Sequence, residues 1–249
     1  MVSAIVAPHV PLDPATSNAR ALASYVIAYA SVAMCVVGVA ALAPDLGRLA
    51  IVIAIVAALA LSTLGSSPPS LVRVAIVLAC LLAAGTSVGA AIGVRIEHAG
   101  HLLPVAIVSS LADAFSVWTP GAPSNAALEA PELLSVLAIG WPMAGTHDLP
   151  AILGVGDVAF VALYFGAARK HALALSRTAL ALFAGLAATA LTVAVTSIAI
   201  PALPFLGAAV VLAHPEARKL PASDRRTALI GLALVVIAFA ALVLSRVSE

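Results

Sequence analysis

Charged residues are scarce in this chain of 249 residues: only 9% are Asp, Glu, Lys or Arg, whereas 63% are hydrophobic. Soluble domains carry about 25% charged residues, so this composition argues against a water-soluble globule. The mean hydropathy of +1.17 is typical of a polytopic helical membrane protein. With a net charge of +1 and no basic cluster, nothing in the sequence indicates nucleic acid binding.

Cysteine is also rare. The two cysteines, Cys35 and Cys80, both lie in apolar runs without CxxC spacing, which gives no support to a disulfide or a cysteine metal site. Three histidines, His98, His101 and His147, fall between the predicted spans without ligand spacing, and we interpret them as solvated loop residues. We therefore expect neither a metal nor a cofactor.

Strand-like alternation is absent as well, and a backbone within lipid must satisfy its hydrogen bonds internally. The sequence therefore predicts an all-α fold, a polytopic transmembrane helical bundle. Residues 1–20 lack a basic region and are predicted to form a short polar leader, followed by a single transmembrane domain over 21–245. About eight spans are predicted, at 21–42, 49–64, 74–94, 102–118, 149–168, 172–199, 200–213 and 227–244.

Three segments depart from a regular span. The link 119–148 contains an apolar piece, Leu133–Met143, which is too short to cross a core of about 30 Å and is predicted to be re-entrant or interfacial. Segment 200–213, about 21 Å long as a helix, is also too short, so its proline-rich start should lie within the membrane. A stripe of small residues predicts close helix packing on the third span: Gly85, Gly89 and Gly93.

Basic residues divide the links between two sides of the membrane. One side has Arg20, Arg73 and Arg246, and the other has eight: Arg48, Arg95, Arg169, Lys170, Arg218, Lys219, Arg225 and Arg226. Because cytoplasmic links are enriched in Lys and Arg, the side with eight is predicted to be cytoplasmic. Both termini and the 119–148 link are then expected to face outward.

Two acidic residues lie well inside the predicted spans, Asp113 in VSSLADAFSVWTP and Asp157 in ILGVGDVAFVALYF. A charge at mid-membrane costs at least about 2.5–3.5 kcal/mol and marks a candidate functional site. Counted from the link between the two spans, Asp113 lies about 9 Å and Asp157 about 12 Å into its helix. Adjacent antiparallel helices would therefore bring both carboxylates to nearly the same depth.

Such a pair of carboxylates has a recognisable chemistry. Neighbouring carboxylates share one proton, because both cannot readily ionise. One can take a proton from water while the other polarises a carbonyl, which is acid–base peptide hydrolysis. Gly154 and Gly156 have no side chains and would leave room for a substrate backbone beside Asp157.

Other interpretations of the aspartates stay open. Each could cap a local helix break or pair with a serine, and Ser109, Ser110 and Ser116 are near enough in sequence to serve Asp113. Intramembrane carboxylates also form ion or proton relays. A transporter would fit helices broken at the midplane, although the two halves of the chain show no inverted repeat.

Three stretches carry a family resemblance in their order along the chain: ADAFSV (112–117), GVGD (154–157) and PALP (201–204). They resemble the YD, GxGD and PAL motifs of the GxGD intramembrane aspartyl proteases, the presenilin and signal peptide peptidase superfamily. The resemblance implies a presenilin-like core over about 102–213, acting without cofactor on transmembrane proteins or peptides in the lipid bilayer. It implies that Asp113 and Asp157 are catalytic, and that the substrate is contacted by Gly154, Gly156, Pro201, Ala202 and Leu203.

The resemblance is to a bacterial or archaeal-type homologue, which implies a prokaryotic plasma membrane. An outward 119–148 link looks like the signal peptide peptidase orientation, which goes with type II substrates in that family. The chain departs from the family in three ways. Ala112 stands where tyrosine is usual, only four spans are counted through the Asp113 helix where the family has six, and an extra span, 227–244, follows the PAL helix.

Two further functions compete with this one. Type IV prepilin peptidases also use a GxGD aspartate, but they usually carry a lysine where this chain has Ala159, lack a PAL motif and act at the cytoplasmic face. A proteolytically inactive relative that serves as a membrane scaffold is the other. Ala112 is compatible with the scaffold, whereas the retained pair of aspartates argues against it.

Overall fold

The computed structural model describes residues 18–42, 71–129, 138–141, 151–196 and 198–247. This part of the chain is predominantly helical. Its elements are α1 (Asn18–Leu42), α2 (Leu71–Gly93), α3 (Leu102–Trp118), α4 (Pro123–Glu129), β1 (Ala138–Gly140), β2 (Ala151–Gly154), α5 (Val155–Lys170), α6 (Leu175–Thr196), α7 (Leu203–Ala213) and α8 (Ala222–Val247). Short 3₁₀ turns at Ala99–His101 and Pro215–Arg218 precede α3 and α8.

Five helices of the described part are long and apolar enough to cross a membrane: Ala23–Leu42, Ile76–Gly93, Ala99–Trp118, Leu175–Thr196 and Ala222–Leu242. They coincide with five of the predicted spans, so the chain is an integral membrane protein of helical architecture. The predicted span 49–64 lies outside the described residues, and the count of about eight stays a prediction. Helix α7 has only 11 residues, so segment 200–213 is as short as predicted.

The predicted span 149–168 differs from the structure at its start. Strand β2 runs antiparallel to β1, with Leu153 opposite Ile139, and α5 begins only at Val155. The prediction of a helix throughout this segment was therefore wrong. Strand and helix are equally apolar here, so hydropathy does not mark the boundary between them. Strand β1 falls within the apolar piece Leu133–Met143. Only residues 138–141 of that piece are described.

Helix α5 occupies the centre of the bundle. It is apolar on all sides and ten of its 16 residues are buried, as expected of a helix enclosed by others. On one side it packs in parallel with α2, where a Cβ on Gly89 would lie 1.8 Å from the Ala159 carbonyl oxygen and one on Gly93 2.2 Å from that of Leu163. The close packing predicted for the glycine stripe is confirmed, because only glycine permits this approach.

Basic residues cluster at the end of the bundle where α5 ends. There His171 Nε2 lies 2.9 Å from the Ile96 carbonyl oxygen, and His101 Nε2 lies 2.9 Å from Asp224 Oδ2. Arg169 donates to two carbonyl oxygens in the last turn of α1. The elements that meet at this end carry seven of the eight basic residues assigned to one side: Arg95, Arg169, Lys170, Arg218, Lys219, Arg225 and Arg226. Which side of the membrane this end faces stays a prediction.

Candidate active site

Asp113 lies on α3, five residues before the helix ends at Trp118. Its side chain is buried, with 8% of the residue exposed, and it meets the N-terminus of α7. The carboxylate oxygen Oδ2 accepts a hydrogen bond of 2.9 Å from the backbone N–H of Leu203. The first predicted catalytic residue and the PAL segment, 90 residues apart in the sequence, are therefore in direct contact.

The sequence PALP explains why Leu203 supplies this donor. Helix α7 begins at Leu203 after the N-cap residue Ala202, and the first N–H groups of a helix have no acceptor within it. Pro204 has no N–H, and the N–H groups of Phe205 and Leu206 both donate to the Ala202 carbonyl oxygen, at 3.1 Å each. This leaves the Leu203 N–H for an outside acceptor, and the helix dipole favours a carboxylate there.

Asp157 lies in the first turn of α5, directly after β2. It is buried, with 4% of the residue exposed, and its Oδ2 accepts a hydrogen bond of 3.1 Å from the Gly154 N–H. An acidic third residue of a helix commonly caps the preceding backbone in this way. The predicted depth of about 12 Å assumed a helix from Leu149 and was wrong, because residues 151–154 are extended. Counted from Val155, where the helix begins, Asp157 lies two residues, or about 3 Å, into it.

The two aspartates nevertheless lie at the same end of the bundle. Asp113 is near the C-terminal end of α3 and Asp157 is near the N-terminal end of α5, and the two helices run in opposite directions. The carboxylates are close enough to interact electrostatically. The structure thus brings together the three segments whose motifs were singled out in the sequence, at residues 112–117, 154–157 and 201–204.

The serines of α3 have other hydrogen-bond partners than the first aspartate. Ser109 and Ser110 both donate to the carbonyl oxygen of Ala106 in their own helix, at 3.1 and 2.6 Å. The hydroxyl of Ser116 bonds to that of Ser124 at the start of α4. The polar partner of the aspartate therefore comes from a distant helix, which the proposed serine pairing did not anticipate.

The predicted substrate-contacting residues differ in accessibility. Gly154 closes β2, and it is buried together with Pro201, Ala202 and Leu203. Gly156 is exposed, and within the described part of the chain no neighbouring atom lies within 4 Å of the position that a Cβ there would occupy. Open space therefore adjoins Asp157 on the side of Gly156, whereas the PAL segment is packed against the protein.

A buried tyrosine lies between the helices of the site, and the sequence interpretation overlooked it. Tyr164, with 1% of the residue exposed, follows Asp157 by seven residues and so lies on the same face of α5. Its hydroxyl neighbours Ser109 of α3, and a Cβ on Gly207 of α7 would lie 3.2 Å from that oxygen. A phenol therefore packs among the three helices of the site. The seven-residue spacing was the signal available in the sequence.

Two of the three histidines predicted to be loop residues lie away from this site. His98 and His101 are at the basic end of the bundle, where His101 bonds to Asp224 rather than being fully solvated. His147 lies outside the described residues. Across residues 18–42, 71–129, 138–141, 151–196 and 198–247, no three His, Cys, Asp or Glu side chains are grouped so that they could hold a metal ion.

Comparison with known proteins finds no relative of this chain. Neither a protein-family model, nor a curated protein, nor a solved structure matches the chain. The function must therefore be inferred from the chemistry of the site: two buried carboxylates at one end of a membrane bundle, one of them bonded to the N-terminus of a short, proline-flanked helix.

Proposed function

We propose that this protein is an intramembrane aspartyl protease, in which Asp113 and Asp157 activate a water molecule against a peptide bond. The observation that carries the proposal is the hydrogen bond from the Leu203 N–H to Asp113, beside the second buried aspartate. A buried carboxylate is costly within a membrane. Two of them, on separate helices and near enough to influence each other electrostatically, are better explained by shared chemistry than by two unrelated structural needs.

The proposed mechanism follows from the charge that such a pair can hold. Two adjacent carboxyl groups retain one proton between them and titrate as a unit. The ionised member removes a proton from water, while the protonated member donates to the carbonyl oxygen of the scissile bond. The Leu203 N–H restrains the orientation of Asp113, and the Gly154 N–H does the same for Asp157.

The substrate would be a transmembrane segment that is locally unwound, because a helix conceals its peptide bonds. The open space at Gly156 could admit an extended backbone next to Asp157. Strand β2 ends directly at this point, and a two-stranded sheet can bind a further extended segment by main-chain hydrogen bonds. We further propose an outward-facing site in a prokaryotic plasma membrane, with substrates of type II orientation.

An inactive membrane scaffold is the second candidate, and a specific observation favours it. Each aspartate already has a structural role, since Asp157 caps the start of its own helix and Asp113 accepts the first N–H of α7. Those contacts would account for the presence of both aspartates without any catalysis. The scaffold and the protease are separated by replacing each carboxylate with an amide, because asparagine keeps an oxygen that accepts the N–H but cannot serve as acid or base.

The test is cleavage of a tagged single-span peptide by the purified protein in liposomes, with peptides of both orientations. Asp113→Asn and Asp157→Asn should each lower the rate about a hundredfold or more, and a transition-state analogue of aspartyl proteases should block the wild type. Asp224→Asn is the matched control, because that carboxylate bonds to His101 at the opposite end. Undiminished cleavage by either of the two test variants would refute the mechanism, and an inert wild type would favour the scaffold.

A further inference from the structure

The chain has two tryptophans, and each donates its indole N–H to a distant segment. Trp118, the last residue of α3, donates from Nε1 to the carbonyl oxygen of Ala199 at 3.0 Å. Trp141, which follows β1, donates to the hydroxyl of Ser31 on α1 at 2.8 Å. Only the first of these bonds reaches the segment that leads into α7.

That segment is joined to α3 at two points. Ala199 is held by Trp118, and four residues later Leu203 donates to Asp113. On α3 the two attachment points are five residues apart, about 7.5 Å along the helix axis. A short stretch of chain fixed at both ends to one rigid helix cannot slide along it without breaking a bond, so the two contacts support each other.

Trp118 is more exposed to solvent than residues 199–203, the segment that leads into α7. Trp118 is 59% exposed, whereas Ala202 and Leu203, which follow Ala199 in the chain, are 1% and 8% exposed. The Trp118 ring is partly covered, and its directional contribution is the hydrogen bond to Ala199. Pro201 supplies no N–H, which reduces the number of backbone bonds that could otherwise anchor this stretch.

We propose that Trp118 is a positioning residue for the PAL segment: its indole N–H holds Ala199 so that the Leu203 N–H stays directed at Asp113. The proposal rests on the proposed protease function for its kinetic consequence, but its structural part stands without catalysis. Trp118 itself contacts no reacting group. It acts through the backbone of residues 199–203.

The structural part is tested by cysteine labelling in a background in which Cys35 and Cys80 are replaced by alanine. The single-cysteine variant Ala202→Cys, at a buried position, should react slowly with a water-soluble maleimide. Trp118→Phe removes the donor and keeps an aromatic ring, and it should raise the labelling rate severalfold. Trp141→Phe, the matched control, should leave this rate unchanged. Equal labelling with Trp118 and with Phe at this position would overturn the proposal.

The kinetic part uses the peptide-cleavage assay, with active protein counted by titration with the transition-state analogue. Trp118→Phe should lower kcat about fivefold, the effect of one hydrogen bond of ordinary net strength, and should change KM by less than about twofold, because most of the substrate binds elsewhere. A merely structural role would lower Tm and the active fraction, but not kcat per active molecule; an unchanged kcat with faster labelling would overturn the catalytic consequence. An inert wild type would refute the protease function, and the labelling result would still decide the role of Trp118.

Discussion

Alanine substitutions at two glycines test two separate features: the packing of α5 against α2, and the access of substrate to the site. Gly89 of α2 packs against α5, and a Cβ there would lie 1.8 Å from the Ala159 carbonyl oxygen. Since ordinary contacts are about 3.5 Å and the obstructing atoms belong to the backbone of Ala159, Gly89→Ala requires the two helices to separate by about 1.7 Å. Overpacking of this kind costs about 1–3 kcal/mol, which we expect to exceed the gain in helix propensity of about 1 kcal/mol.

The same substitution at Gly156 should have the opposite effect on stability. Among the residues that the structure describes, no neighbouring atom lies within 4 Å of the Cβ position there, and Gly156 has no positive φ, so alanine fits the described fold. Its helix propensity should leave stability unchanged or raise it by about 0.5 kcal/mol. If the open space beside Asp157 admits the substrate backbone, the added methyl group should nevertheless lower kcat/KM about tenfold or more.

Thermal unfolding in detergent and peptide cleavage, measured on both variants, distinguish the two effects. Gly89→Ala should lower Tm by several degrees, at about 2–4 °C per kcal/mol for a chain of this size. Gly156→Ala should keep the wild-type Tm and lose activity. A Gly89→Ala variant as stable as the wild type would contradict the packing, and a fully active Gly156→Ala variant would contradict the assigned substrate path.

Two more substitutions test contacts at opposite ends of the bundle. Leu203→Pro removes the N–H that Asp113 accepts and also disfavours the helical φ and ψ of Ala202, so cleavage should fall about tenfold further than in the Leu203→Ala control, which keeps the donor. Equal activities of the two variants would show that the N–H is dispensable. Arg169→Met removes two hydrogen bonds, of 2.8 and 2.7 Å, to the C-terminus of α1 and should lower stability by about 2 kcal/mol, read as a fall of about 4–8 °C in Tm. Arg225→Met, which loses one exposed bond of 3.3 Å, should change Tm by less than about 2 °C, and equal shifts for the two arginines would refute the role of Arg169.

Much of the architecture could be predicted from the sequence, because a membrane restricts the length and the composition of the helices that cross it. Five predicted spans coincide with helices long enough to cross it, since a spanning helix needs about 20 apolar residues. The glycine stripe predicted close packing on one face of α2, and α5 lies against it. The site was accessible for a related reason, because acidic residues are so costly in lipid that Asp113 and Asp157 were conspicuous.

The errors came from features that hydropathy does not encode. The run ILGVGDVAFVALYF is continuously apolar around Asp157, and a buried strand and a buried helix have the same composition. The change from β2 to α5 within this run was therefore missed, and with it the correct depth of Asp157. The phenol of Tyr164 was overlooked because a single tyrosine in an apolar helix is ordinarily part of the core.

By itself, the sequence determined that the chain is a helical membrane protein and that two of its buried carboxylates approach from the same end. It did so because burial of charge and length of apolar runs are local properties. Only the tertiary structure decided which groups those carboxylates meet. The bond from Leu203 to Asp113 spans 90 residues and that from Trp118 to Ala199 spans 81, and such bonds depend on how α3 and α7 pack rather than on any property of the segments alone.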